Sequence, residues 1–216
     1  LDRLVGFIDF GFLKAEGAKT LGVKPHDLTP HAAGVVTWLQ SLDASYGFLR
    51  AYWYDGAYDP RHEKHAAQRT YFDGIAAVPG IQLRLGHLQE TTPKWQYPVR
   101  AALEKCGVDI AEFEKHYEFR PQLGQKGVDT RITLDLVRLA QHHAYDVGVL
   151  VAGDRDLAEP VRTAQDEGRR IIVAIPRGGG LAKELRQLAD EVINLTASDL
   201  GTMFHSSAKP PETKPT

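Results

Sequence analysis

Short apolar runs of about strand length alternate along this chain with longer stretches whose apolar residues recur at helical spacing. The clearest run is 147–152, continuously apolar, as expected of a central parallel strand covered on both faces. Gly153 follows it, where the backbone can turn tightly. Residues 4–8 repeat the pattern and end in Asp9. Residues 48–54 alternate and are rich in aromatics, closing at Asp55-Gly56, and Ile81, Leu83 and Leu85 mark a third strand. Further strands are predicted over 169–175 and, at the edge, 191–195. Thr29-Pro30 reads as an N-cap with proline at the first helical position, opening a helix that runs to about Ser45 through Val35, Val36, Leu39 and Leu42. Helices are also predicted over 61–77, 130–143, 157–166 and 182–188. Strands and helices that alternate with short joins imply an α/β protein with a mainly parallel sheet and right-handed crossovers.

One stretch breaks this rhythm. Residues 89–125 hold Pro93, Trp95, Pro98 and Pro121 with two weak helical patterns, and read as an insertion over the sheet edge or the mouth of a site. Residues 206–216, rich in Pro, Lys, Ser and Thr, cannot support a core and are expected to be disordered. The organisation expected is thus one domain over about 1–200, carrying the insertion, with a tail at 206–216.

Open parallel sheets place their sites beyond the carboxyl ends of the strands, which is where Asp9, Asp154 and Asp156 fall. Asp129 opens the helix predicted to begin near Thr130, and Asp135 lies within that helix; the two flank its apolar stripe of Val128, Ile132, Leu136 and Leu139. Each acid has a plainer reading. Asp9 and Asp154 could cap turns, and Asp129 could be a helix N-cap. Asp135, inside the helix, is harder to dismiss, since a carboxylate at the border of a buried face is costly without a cation or donor. Acids drawn from distant element ends to one edge of a sheet would form a cage for Mg²⁺ or Mn²⁺, hard ions that take carboxylates and keep waters for a phosphate oxygen to replace. That layout suits metal-dependent phosphodiester cleavage.

Composition narrows the field only slightly. A length of 216 residues accommodates one sizeable domain or two small ones, and 43% hydrophobic with 25% charged residues describes an ordinary globular chain. The formal net charge of -2 does not advertise nucleic-acid binding, although charge can still cluster on one face. A single cysteine, Cys106, excludes an intramolecular disulfide and any multi-cysteine zinc site, which suits a reducing cytoplasm; it reads as buried or incidental. No apolar run approaches a membrane helix, and residues 1–12 lack the basic start and longer apolar core of a signal peptide.

Three blocks carry a resemblance: Phe7-Ile8-Asp9 with Gly11; Lys126-Gly127-Val128-Asp129 followed by Asp135; and Val151-Ala152-Gly153-Asp154-Arg155-Asp156. Together they resemble the signature blocks of NYN domains, members of the PIN-like nuclease superfamily, over roughly 4–195. The resemblance implies a three-layer αβα sandwich, PIN-like or Rossmann-like, around a mainly parallel sheet. It also implies a Mg²⁺- or Mn²⁺-dependent ribonuclease with Asp9, Asp129, Asp154 and Asp156 as catalytic and metal-holding acids, and Asp135 as a further or supporting one. The chain departs from the family pattern at Phe12, where many members have Asn, at Ala152 in place of Ser, and at Leu157 in place of an aromatic.

For RNA, the expected partner, Lys126, Arg131 and Arg155 flank the acids and could hold phosphates, the alternative being solvated surface charge. Tyr52, Trp53 and Tyr54 could stack on bases, although Tyr52 and Tyr54 suit the core of a strand better, and Trp95 and Tyr97 in the insertion are stronger exposed candidates. His62 and His65 lack the zincin spacing, and Gly178 to Gly180 lacks the lysine of a P-loop, reading better as a flexible join. Two other classes stay open: a catalytically weak RNA- or protein-binding module with a retained metal site, and a phosphohydrolase acting on small esters. Assembly into a homo-oligomer is also left open.

Overall fold

The structure, a computed structural model, describes residues 1–91, 97–116 and 122–206. In chain order the first half comprises β1 (Asp2–Asp9), α1 (Phe10–Leu21), β2 (Leu28–Pro30), α2 (Ala32–Ser41), β3 (Tyr46–Ala57), α3 (His65–Ala76) and β4 (Ile81–Thr91). Then come α4 (Tyr97–Lys105), α5 (Ile110–His116), β5 (Gln122–Lys126), α6 (Val128–Gln141), β6 (Val147–Val151) and α7 (Ala158–Asp166). The last elements are β7 (Arg170–Pro176), α8 (Lys183–Leu188), β8 (Glu191–Leu195), α9 (Ala197–Met203) and β9 (Phe204–Ser206). Among the described residues seven strands form one sheet in the order β5-β4-β3-β1-β6-β7-β8, and β2 and β9 make a separate pair. Every neighbouring pair in the large sheet is parallel except β4 with β5.

Alternation along the strands builds the three layers. From β1, Leu4 and Ile8 point to one side with Ala51, Trp53, Val149 and Val151, where they meet Leu13, Val35, Leu39, Phe72, Ile75 and Leu200 from α1, α2, α3 and α9. Val5 and Phe7 point to the other side with Tyr52, Tyr54, Leu150 and Val173, where they meet Val128, Ile132, Leu136, Val161 and Leu185 from α6, α7 and α8. Side chains of successive strand residues project to opposite faces, so one strand feeds two apolar cores. The predicted αβα sandwich with a mainly parallel sheet is therefore observed. No helix among the described residues is long and apolar enough to cross a membrane.

Four details differ from the reading of the sequence. A helix, α1, follows Asp9 directly. Its two glycines, Gly11 and Gly17, weaken its intrinsic helicity, but Gly17 lies close against Leu200 and Phe204, so tertiary packing outweighs propensity. Pro30 ends the short strand β2 instead of opening a helix, and α2 starts at Ala32, because Thr29 and its neighbours pair with β9. The insertion supplies β5, which adds an antiparallel edge strand to β4. Cys106 is exposed rather than buried. The aromatic strand β3 goes the way core packing demands, with Tyr52, Trp53 and Tyr54 at 4%, 0% and 0% exposure, which removes them as a stacking face. Trp95 and the tail beyond 206 lie outside the described residues, as does the side chain of Tyr97.

Candidate functional site

The chain runs from β1 outward through β3 and β4, then returns to β6, β7 and β8 on the other side of β1. The crevice between β1 and β6 is therefore a topological switch point, where connections leave in opposite directions and open a cleft at the carboxyl ends of the strands. Asp9 ends β1 and Asp154 follows β6, so the acids border this cleft. Asp129 arrives in the first turn of α6, which the short antiparallel strand β5 delivers to the same edge. Gly86 on β4 permits that delivery: a Cβ there would lie 2.6 Å from the Lys126 carbonyl.

Asp9, Asp129 and Asp154 line a single cavity of about 670 Å³, together with Phe12, Gln125, Gly153, Arg155 and the segment from Gly180 to Ala182. The capping readings hold for two of the three acids. Asp9 caps α1, its Oδ1 accepting the Phe12 N–H at 3.0 Å, and the Asp154 Oδ1 accepts the Asp156 N–H at 3.3 Å. A carboxylate has more acceptor positions than one capping bond uses, so capping and facing the cavity coexist. Asp129 is no cap: Gly127, left-handed at φ 77°, holds that position.

Burial pushes the Asp9 carboxyl up to about 6; the charges of Asp129 and Asp55 add to this, and the Phe12 N–H opposes it. Burial also raises Asp129, followed by the charges of Asp154 and Asp156. Among the described residues none of Asp9, Asp129 and Asp154 pairs with a lysine or arginine within 4.0 Å. Acids elsewhere are treated differently. Asp146 takes Arg3 at 2.9 Å and Arg169 at 3.3 Å, and Asp135 takes Arg84 at 2.9 Å. The donor set of the cavity, hard carboxylate oxygens repelling one another, thus fits a hard divalent cation. As the side chains stand, no three acidic, His or Cys groups among the described residues converge closely enough to hold an ion.

The remaining candidates separate. Asp156 is exposed and lines an adjacent cavity of about 490 Å³ with Arg155, Glu159, Arg162 and Glu184. Asp135 does not join the acids: 7% exposed, it accepts from the Tyr54 hydroxyl at 3.0 Å and from Arg84 Nε at 2.9 Å, with Arg138 at 3.5 Å. Arg131 is with this second group, lining a small cavity with Arg84, Asp135 and Arg138 away from the acids. Arg155 does line the acidic cavity and is paired with Glu184 at 3.2 Å. Lys126 is exposed at the end of β5, beside Gly127. His62 and His65 join no metal-holding group among the described residues.

Two contributors escaped the sequence reading. Asp55, half of the Asp-Gly pair that closes the aromatic strand, stands one residue beyond the Asp9–Tyr54 register pair, next to Asp9 across the β1–β3 ladder. Burial pushes it to about 6, against the pull of the Gly56 N–H and the charge of Lys14, and Gln125 Nε2 donates to its Oδ1 at 2.9 Å. Its signal was available, since an acid at the end of a strand had already singled out Asp9. The last residue of the glycine run, Gly180, proves to line the acidic cavity: Ala182 N–H donates to the Gly153 carbonyl at 3.0 Å, and a Cβ on Gly153 would lie 2.1 Å from the Gly180 carbonyl.

Fold and site together define an α/β protein with a carboxylate-lined cavity at the switch point of a mainly parallel sheet. The chain belongs to the NYN domain family, whose model matches residues 35–196, and this family has the PIN-like nuclease fold. The Asp9 block lies outside that matched span and owes its place in the site to the central position of β1. A relative in Sinorhizobium fredii (strain NBRC 101917 / NGR234), the uncharacterized protein y4oD, is 43% identical over 68 residues, which are 31% of this chain and 32% of that protein. The match therefore spans about a third of the relative's length. The crystal structure of a protein of unknown function, VPA0982 from Vibrio parahaemolyticus RIMD 2210633, matches with a TM-score of 0.53 at 15% identity, covering 94% of this chain and 96% of that one. That likeness is one of fold.

Proposed function

We propose that the protein is a metal-dependent ribonuclease that hydrolyses RNA phosphodiester bonds at the cavity of Asp9, Asp129 and Asp154. One observation carries this: three carboxylates from three distant segments line one cleft without a cationic partner among the described residues, in a protein that pairs the buried Asp135 with arginine. Nucleases of the NYN and PIN-like families typically use divalent metals. Mg²⁺ or Mn²⁺ bound here would supply charge against the developing pentacovalent phosphate and lower the pKa of a bound water. Asp9 and Asp154 would be its principal ligands. Asp129 completes the acidic wall and orients the attacking water, and Asp156, from the adjacent cavity, would act on the ion only through waters. Arg155, at the border of two cavities, meets a phosphate oxygen in exchange for part of its contact with Glu184, and Lys126 offers a further cation at the mouth. In-line attack by water yields 5′-phosphate and 3′-hydroxyl ends.

A second reading, a catalytically weak RNA- or protein-binding module with a retained metal site, is favoured by Phe12, an apolar ring in the wall of the acidic cavity where many family members have Asn. The two separate in one experiment. Labelled single-stranded RNA and matching DNA are incubated with the protein under Mn²⁺, Mg²⁺ or chelator, beside the Asp9→Asn/Asp154→Asn double variant. Metal-dependent cleavage of RNA that disappears in the variant is the expected result. Equal inertness of both proteins under all conditions would overturn the nuclease reading in favour of the module.

A further inference from the structure

Another cavity, of about 400 Å³, lies beside the acidic one and shares Gln125 with it. Its walls include Lys14, Pro25, Asp55, Gln68, Tyr71 and Gln125, drawn from α1, the α1–β2 loop, the end of β3, α3 and β5. The amide of Gln125 forms the partition. It donates to Asp55 Oδ1 at 2.9 Å and lies over Gly11 so closely that a Cβ on Gly11 would be 2.8 Å from both the amide nitrogen and the amide oxygen. The polar wall is held in place from behind: Gln68 accepts the Tyr58 N–H at 2.7 Å and donates to the Gly56 carbonyl at 2.9 Å.

The feature that asks for a ligand is Lys14. It is partly buried, yet it makes no ion pair within 4.0 Å among the described residues, whereas its helix neighbour Lys19 pairs with Glu16. Burial holds its ammonium below the ordinary lysine value, and the charge of Asp55 offsets part of this. An ammonium partly withdrawn from water and unpaired is suited to meet an anion, and a phosphate oxygen is the anion that a neighbouring phosphodiester would bring. The other walls fit the rest of a nucleotide. Tyr71 and Pro25 offer apolar surface, and Asp55 and the two glutamines offer hydrogen-bond partners to a base edge. The volume lies within the range of small-molecule pockets.

We infer that this cavity is a nucleotide subsite, in which Lys14 holds a backbone phosphate and the Asp55, Gln68 and Gln125 wall meets the base of the residue next to the phosphate being cleaved. The inference rests on the nuclease reading for its neighbour, but its binding role does not need turnover. It assigns to the insertion strand β5 a task at the centre of the substrate path, since Gln125 divides one nucleotide position from the next. It also makes the substrate single-stranded at this point, because a base can enter a cavity only when it is unpaired and unstacked.

The test measures binding apart from cleavage. A fluorescein-labelled single-stranded RNA octamer is titrated with the full chain in chelator, by anisotropy, for wild type, Lys14→Met, Lys14→Arg and the control Lys19→Met, each checked for an unchanged melting temperature. Losing one charged contact is expected to weaken binding by about tenfold in Lys14→Met. Lys14→Arg should recover most of it, and Lys19→Met should match wild type. Cleavage of the same octamer in Mn²⁺ is read in parallel. Weakened binding in Lys14→Met with an octamer that wild type also leaves uncleaved would keep the subsite and sink the nuclease reading. Cleavage and binding both indifferent to Lys14→Met would sink the subsite and leave the nuclease reading intact. A wild type that binds no octamer in chelator, or a Lys19→Met loss as large as that of Lys14→Met, would also overturn the subsite.

Discussion

Replacing Asp9 with Asn should stabilise the metal-free protein while disabling its site. The native carboxyl has moved from 3.8 to about 6, chiefly through burial and then through the charges of Asp129 and Asp55. A group raised in this way adds nothing unfavourable below its unfolded value, where both states are protonated. As pH climbs from about 4 through about 6 the folded state must ionise against its surroundings, and stability falls. Once ionised, the full difference is about 3 kcal/mol at roughly 1.4 kcal/mol for each tenfold change. Asp55 and Asp129 share the same field and can take up protons when Asp9 does not, so a net gain of about 1–3 kcal/mol is expected. The Asn side chain keeps an oxygen for the Phe12 N–H, so the start of α1 is preserved. In a chain of this size the gain corresponds to a rise in Tm of roughly 2–10 °C. Scanning calorimetry in chelator at pH 8 should show that rise, and the difference should shrink steadily as pH is lowered toward 4.5. Added Mn²⁺ should raise the Tm of wild type, because a ligand bound only by the folded state stabilises it, and should leave Asp9→Asn unmoved. A variant that melts lower than wild type at pH 8 in chelator, or whose difference ignores pH, would refute the reasoning.

Three further outcomes follow from the same contacts. Metal-supported cleavage and Mn²⁺ affinity should both increase as pH rises through about 6, because Asp9 must lose its proton first; a pH–rate profile flat between 5 and 7.5 would contradict this. Asp135→Ala leaves the Tyr54 hydroxyl and Arg84 without their shared acceptor, and urea denaturation should report a loss of about 2–4 kcal/mol, with residual cleavage tracking only the folded fraction. Gly153→Ala puts a methyl 2.1 Å from the Gly180 carbonyl and close to the Phe12 ring, so the rim from Gly180 to Ala182 must move; Mn²⁺ binding by calorimetry should fall at least tenfold, and unchanged binding would show that the rim does not shape the site.

The stretches 4–8 and 147–152 announced central strands, and both proved buried at the middle of the sheet, because an unbroken apolar run is stable only where both faces are covered. The acids following them were legible for the same local reason: a charged residue at the exit of a buried strand needs an explanation that the strand itself does not provide. Local reading stopped at α1, whose glycines hide a helix stabilised by Leu200 and Phe204 from the far end of the chain. It stopped again at the membership of the site. Asp135 and Asp129 share one helix, yet Arg84 and Tyr54, brought over by β4 and β3, claim Asp135 for an ion-pair network and leave Asp129 to the cavity. Asp55 enters because β3 pairs with β1 in a register that sets Tyr54 against Asp9, and Gln125 enters because an antiparallel edge strand grew out of the insertion. The hydrophobic period and the identity of an element's last residue are properties of a few neighbours along the chain. Which acids face one another depends on strand order, register and helix placement, and only the folded chain decides those.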